Sequence, residues 1–368
     1  MCAPRPTSGA RSCSSWAWRS IEPAQEHAVK EGRFVVVSTR ALSPEAMARA
    51  ASHFDFRVAP EPDADTLRGL LRDAHAVIAR DDLPHDLCEH APGLLMVARH
   101  GVGLDVVPMQ ACAQHQVLVT NVPGGNARSV AEFAVTRMLM LARAQHRVDA
   151  DLRSEGWDAT RRLHSGLPVE LGGRRAGILG YGAIAAALAA ILHHGFGMEV
   201  WVHTRDPARL PDWARAASRD EIARGCHFVL PCVALTPQTR GMVDAGFLDA
   251  MQPDAWLVNI SRGEVVDQEA LIARLRAGAI AGAALDVVQE RRLPPGHPLL
   301  ALPNVLVSPH LAGHTADANL RNGLSALDSL EALLLRGELP ALAVNAEAAW
   351  PGVRARRDAL LAAGGQAA

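Results

Sequence analysis

Gly180-Tyr181-Gly182-Ala183-Ile184-Ala185 follows a short apolar run, Ala176 to Gly180, and opens a helical stretch from Ala183 to His193. A second strand-like run, Glu199 to His203, comes next. This strand, turn, helix and strand in one unit is the context a dinucleotide fingerprint requires. The first glycine suits the tight turn, the second lets backbone approach a pyrophosphate, and the small Ala185 allows close helix–strand packing. A pyrophosphate would lie on the free N–H groups of the helix start, at Ala183 and Ile184.

The alternation extends in both directions. Short strands fit Phe228 to Leu230, Trp256 to Asn259, Gly282 to Leu285 and Val305 to Val307, with helices around Asp244 to Met251 and Gln268 to Ala277. An earlier series runs through Phe34 to Ser38, Ala76 to Ala79, Leu95 to Ala98 and Val117 to Thr120, with Ser43-Pro44-Glu45 opening a helix. Strands alternating with helices mean parallel sheets covered on both faces. A long helix begins at Ser129, with Glu132 as capping-box partner. It runs through Met138, Met140 and Leu141, side chains suited to packing or a subunit interface. A helix from Ala316 to Arg336 has no place in the second sheet and must return to the first unit. Residues 1–32 mix Arg, Ser, Pro and Cys without periodicity or the apolar core of a signal peptide, and are expected as a disordered tail. Residues 347–368 are expected to be loosely held.

The 368 residues carry 37 Lys+Arg against 39 Asp+Glu, for a formal net charge of −2. That balance argues against a general nucleic-acid or anionic-membrane binder. No apolar run approaches the roughly 20 residues of a membrane span. The six cysteines lack the paired spacing of a zinc site, so no metal is expected and free thiols in a cytoplasmic protein are the reading.

At the end of its second strand an NAD-binding unit places an acid that takes the ribose hydroxyls. Here the order is His203-Thr204-Arg205, and Asp206 comes only after the arginine. Thr204 and Arg205 suit a 2′-phosphate, which an acid would repel, so NADP(H) is expected over NAD(H). A surface arginine facing solvent is the plain alternative.

Five ordered segments resemble one family, the D-isomer-specific 2-hydroxyacid dehydrogenases, which include phosphoglycerate dehydrogenases and glyoxylate/hydroxypyruvate reductases. They are Arg99 to Asp105 (RHGVGLD), Asn121 to Asn126 followed by Ser129 to Glu132, Asn259 to Gly263 (NISRG), Ala284 to Val287 (ALDV) and Ser308 to Gly313 (SPHLAG). The similarity spans about Arg33 to Asn345. It implies an α/β protein of two Rossmann-like, doubly wound parallel-sheet domains with the active-site cleft between them. The substrate domain would be residues 33–124 and 309–346, and the dinucleotide-binding domain residues 125–308. The resemblance also implies a homodimer through the long helix, a small 2-oxoacid or 2-hydroxyacid as substrate, and Val233, Ile260, Ser261 and Asp286 near the cofactor.

Reducing a 2-oxoacid needs a cation for the carboxylate, a proton donor for the carbonyl oxygen and a nicotinamide within hydride reach. Arg262 offers a planar fork to carboxylate and carbonyl. Backbone N–H groups of Val102 and Gly103 are expected on the other carboxylate oxygen. His310 is the proton donor, since imidazole titrates near working pH. Alone, Arg262 would be read as pairing with an acid such as Glu264, and His310 as structural. The sequence departs from the family's pattern at one catalytic position. The glutamate that stands five residues after the aspartate of the ALDV segment, and pairs with the histidine, is Arg291 here. Glu290, one residue earlier, is the candidate substitute. A second departure is Cys232-Val233-Ala234, where relatives commonly have histidine and proline beside the nicotinamide. A catalytically weak sensor or partner-binding protein on the same fold is the competing reading, favoured by the missing glutamate and opposed by the presence of both Arg262 and His310.

Overall fold

The computed structural model describes residues 33–290 and 292–365. Two parallel sheets organise them. The first contains β1 (Val35–Ser38), β2 (Asp55–Val58), β3 (Ala76–Ala79), β4 (Met96–Arg99) and β5 (Leu118–Thr120), in the order β2-β1-β3-β4-β5. The second contains β6 (Arg175–Leu179), β7 (Glu199–His203), β8 (Ala214–Ala216), β9 (Phe228–Pro231), β10 (Trp256–Asn259), β11 (Gly282–Leu285) and β12 (Val305–Val307), ordered β12-β11-β10-β9-β6-β7-β8. Strand order reverses at β6, so the crevice beyond the carboxyl ends of β6 and β9 is the topological switch point, where open α/β sheets bind ligands.

Central strands such as β1, β3, β9 and β11 are buried at every position. Helices on both sheet faces leave no solvent side, which is why these strands read as unbroken apolar runs rather than alternating ones. Ala127–Ala142 and Ala183–Ala190 cover one face of the second sheet, while Ile222, Phe247, Leu271 and Leu275 come from helices on the other. The small residues of Ala183–Ala190, with Ala185 fully buried, let that helix lie close to its neighbour.

Two strands escaped the sequence reading. β2 and β8 are edge strands of four and three residues with no fully buried position, so neither carries the apolar signal of the inner strands. The long helix also differs from expectation. It starts at Ala127 after Asn126, and Ser129 does not cap it: the Ser129 hydroxyl bonds Thr315 Oγ1 at 2.8 Å, while Glu132 pairs with Arg128. The Ser129–Thr315 bond ties the first passage of chain between the sheets to the second.

Beyond that second passage, Ala316–Leu334 packs Ala326, Leu327, Leu330, Leu333 and Leu334 onto the first sheet. The expectation of a loose C-terminal segment fails here. Ala346–Gly365 is a helix whose Ala349 and Val353 are fully buried in that same core, and the Asn345 side chain bonds the backbone of Val117 and Val119. Scattered arginines hid the few inward positions of this helix in sequence. Val353→Asp places an unpaired carboxylate in this core and is expected to destabilise the protein by about 3 kcal/mol, read as a lower urea midpoint.

Candidate active site

The carboxyl ends of β6, β9, β10 and β11 carry the residues expected around a dinucleotide. Gly180 has φ +96°, and a Cβ there would meet Val233 Cγ1 at 2.6 Å and the Cys232 carbonyl oxygen at 3.0 Å. Only glycine permits this turn. A Cβ on Gly182 would meet nothing, which leaves the space over the helix start open. The residues present therefore fit a dinucleotide: Gly180, Gly182 and the N–H groups of Ala183 and Ile184 for the pyrophosphate, with Val233, Ile260 and Ser261 along the crevice wall. At the end of β7, the Thr204 hydroxyl accepts from Asp206 N at 3.3 Å, keeping its own proton to donate. Arg205 is exposed and makes no hydrogen bond or ion pair among the described residues.

The loop after β10 presents Arg262. Asn259, buried at the strand end, braces it: its amide oxygen accepts from Ser261 N at 3.1 Å and Ser261 Oγ at 2.9 Å, and its Nδ2 donates to the Arg262 carbonyl at 3.0 Å. The Arg262 guanidinium donates through Nη1 to the Ser261 carbonyl at 2.8 Å and through Nη2 to Asp105 Oδ1 at 2.9 Å. Glu264, the acid that sequence neighbourhood suggested, is not its partner. Asp105 stands on the glycine loop after β4, so this ion pair joins the two sheets' loops. Gly103 makes the approach possible, because a Cβ there would collide with Arg262 Nη2 and lie 2.6 Å from Asp105 Oδ1. The loop is held by Arg99, whose Nε donates to the Gly103 carbonyl, and by Asn121, whose Nδ2 donates to the Val102 carbonyl. The N–H groups of Val102 and Gly103 have no acceptor among the described residues, as a carboxylate-binding pair requires.

His310 follows β12 with φ +54°, a left-handed conformation uncommon for a residue with a Cβ. Its N–H donates to the Asp286 carbonyl at 2.8 Å and the Ser308 carbonyl at 3.0 Å. Asp286 was expected beside the cofactor. The structure gives its buried carboxylate three donors from the His310 loop: Ser308 Oγ at 2.7 Å, Leu311 N at 2.9 Å and Ala312 N at 2.9 Å. Its place is beneath that loop. Desolvation in the cleft, and then the Arg262 guanidinium and His314, hold the His310 pKa below the ordinary imidazole value, against the pull of Asp286 and Asp105. Reduction should therefore lose its proton donor at a more acidic pH than an unperturbed histidine would allow.

The substitute carboxylate does not reach this histidine. Glu290 Oε2 accepts from Gln268 Nε2 at 2.7 Å and its other oxygen lies 3.8 Å from His297. The cause is the buried Gln268 side chain, which also accepts from Gln289 N at 3.0 Å and so turns the segment away from His310. Arg291 lies outside the described residues. Two residues whose charge is felt at His310 were missed in sequence: Asp105, although it closes the RHGVGLD segment, and His314, whose ring lies 6.3 Å from that of His310. His100, by contrast, is a core residue near pKa 4 through burial, bonding the Asn319 carbonyl.

Residues 135–312 match the family model for the D-isomer specific 2-hydroxyacid dehydrogenase NAD binding domain. The chain is 36% identical over 326 residues to a glyoxylate reductase of Aeropyrum pernix, an alignment covering 85% of this chain and 96% of that protein. It is 34% identical over 320 residues to D-3-phosphoglycerate dehydrogenase of Mycobacterium tuberculosis, covering 84% of this chain and 58% of that longer protein. A crystal structure of an NADPH-dependent glyoxylate/hydroxypyruvate reductase of Sinorhizobium meliloti, in complex with NADP and malonate, superposes with a TM-score of 0.76 at 30% identity, covering 86% of this chain and 98% of that one. The chain belongs to the D-isomer-specific 2-hydroxyacid dehydrogenase family. It is a nicotinamide-dependent oxidoreductase of 2-oxoacids and D-2-hydroxyacids, and the binding-only reading is not favoured.

Gly103→Ala is expected to push the Arg262 guanidinium out of place. The loss of kcat/KM should be about a hundredfold, or roughly 2.7 kcal/mol, for a displaced charge-assisted contact, with the Kd for cofactor unchanged by fluorescence titration.

Proposed function

We propose that this enzyme reduces a small 2-oxoacid to the D-2-hydroxyacid, with NADPH preferred over NADH, as a cytoplasmic homodimer. One observation carries the catalytic reading. Arg262, the N–H groups of Val102 and Gly103, and His310 come from three separate segments, and the Asp105 ion pair to Arg262 and the charge of Arg262 felt at His310 support one shared site. The bound nicotinamide supplies the hydride. The protein's own residues do the rest. The Val102 and Gly103 N–H groups and Arg262 orient the substrate carboxylate, Arg262 also polarises the carbonyl, and His310 gives a proton to the carbonyl oxygen. The relatives named glyoxylate reductase and glyoxylate/hydroxypyruvate reductase support a small substrate.

The cofactor preference rests on Thr204 and the unengaged Arg205 at the end of β7, and the Sinorhizobium relative with bound NADP supports it. One charge-assisted contact of about 1.5–3 kcal/mol favours NADPH roughly ten- to a hundredfold. Dimer formation is supported by exposed apolar side chains on and beside the helices after the long one: Trp157 is 71% exposed, Leu167 68% and Leu163 50%. Isolated apolar residues are ordinary on a surface, and three so near one another in sequence support the dimer reading.

A substrate panel of glyoxylate, hydroxypyruvate and larger 2-oxoacids, run with both cofactors, tests the reading. Turnover with a lower KM for NADPH is expected, and Thr204→Asp should erase or reverse that preference. A lower KM for NADH in the wild type would overturn the cofactor assignment. Arg262→Lys keeps the charge but loses the fork, so kcat/KM should collapse with cofactor binding little changed. Light scattering should give twice the chain mass, and Trp157→Glu should shift it towards the monomer.

A further inference from the structure

We propose that Asp105 is a positioning residue for this reaction: from the glycine loop of the first sheet it holds the Arg262 guanidinium of the second in one orientation, and it supplies negative charge facing His310 in a chain whose family glutamate position is Arg291. The inference rests on the reductase reading above.

Three observations carry it. First, Arg262 has two anchors, the Ser261 carbonyl within its own loop and Asp105 Oδ1 from across the cleft, at 2.8 Å and 2.9 Å. A single carbonyl would leave the planar fork free to turn about its last bonds; a second acceptor on another element fixes it. Second, the glycine loop is shaped around this contact. The missing Cβ of Gly103 clears the space that Arg262 Nη2 and Asp105 Oδ1 occupy, and Arg99 holds the Gly103 carbonyl from below at 2.9 Å. Third, the charges of both Arg262 and Arg99 act on Asp105. Arg99 donates to the carbonyls of Gly103, Ala79, Arg80 and His100 and, among the described residues, to no carboxylate, which leaves the Asp105 carboxylate to Arg262.

The groups facing His310 complete the account. They are Arg262 from the loop after β10, His314 from its own loop, Asp286 beneath that loop, and Asp105. Asp286 also holds the loop through its three donors, and Glu290 is held by Gln268. Asp105 thus adds, from the glycine loop, to the pull of Asp286 towards the imidazolium form. Without it, Asp286 alone opposes Arg262 and His314, and the proton His310 must donate is held less firmly.

The test compares wild type with Asp105→Asn and Asp105→Glu. Steady-state kinetics with the best 2-oxoacid of the panel are followed across pH, together with NMR titration of the His310 imidazole, assigned from a His310→Gln spectrum. Asp105→Asn is expected to lower kcat about fivefold, the upper scale of one partly exposed ion pair, without raising the KM for oxoacid, because the cleft gains net positive charge. The His310 titration and the alkaline limb of kcat/KM should both move to lower pH, and the KM for NADPH should not change. Asp105→Glu keeps the charge and should keep the titration near its wild-type position. An Asp105→Asn enzyme with unchanged kcat and lower KM would show that the acid merely competes for Arg262, and would overturn the proposal. So would an unmoved His310 titration, or an equal loss in both variants that follows a lower melting temperature. A wild-type protein that binds NADPH yet reduces no oxoacid sinks the reductase reading, while the titration alone still decides whether Asp105 sets the charge at His310.

Discussion

The Asp286 carboxylate holds together the place where the chain leaves its second sheet. It sits buried at the end of β11 and receives the Ser308 hydroxyl and the N–H groups of Leu311 and Ala312. Removing a carboxylate from water is costly, and three directed donors offset that cost only when their backbone is already in place. The arrangement is therefore all-or-nothing. Where it forms, it bends the chain so that His310 takes a left-handed conformation facing the cleft, and the next residues lead back to the first sheet through Thr315 and Ala316–Leu334. Catalytic geometry and domain connection depend on the same buried charge.

The remaining site is an exercise in directing side chains by their second partners. Asn259 shapes the loop that carries Arg262, Arg99 supports the loop that carries Gly103 and Asp105, and Gln268 turns Glu290 away. None of these three residues need touch a substrate. Each satisfies a polar group that would otherwise be left unpaired, and in doing so decides where a charged group can point.

Much of the site was legible in order along the chain. Gly180, Gly182 and Ala185 are recognisable because a turn from strand to helix over a phosphate admits few residue types, and the structure shows the steric reason at Gly180. Arg262 and His310 are recognisable from the segments around them. The readings that failed share a cause. Ser129 and Glu132 have the spacing of a capping box, but the hydroxyl found Thr315, 186 residues away. Glu290 stands one residue from a catalytic position, but a glutamine 22 residues earlier reaches it first. The last helix looked loose because Ala349 and Val353 are small and few, and only the first sheet's core shows what they fill.

The sequence by itself determined the alternation of strands and helices, the turn that receives a dinucleotide, and the residue types for binding a carboxylate and moving a proton. Those properties are local: a run of buried strand residues, a glycine at positive φ or an arginine fork is specified by its own neighbours. The tertiary structure decided which acid meets Arg262, which groups face His310, and that Asp286 lies beneath a loop. Hydrogen-bond partners between distant segments are chosen by competition among donors and acceptors that only folding brings within 3 Å, and no spacing along the chain records the outcome of that competition.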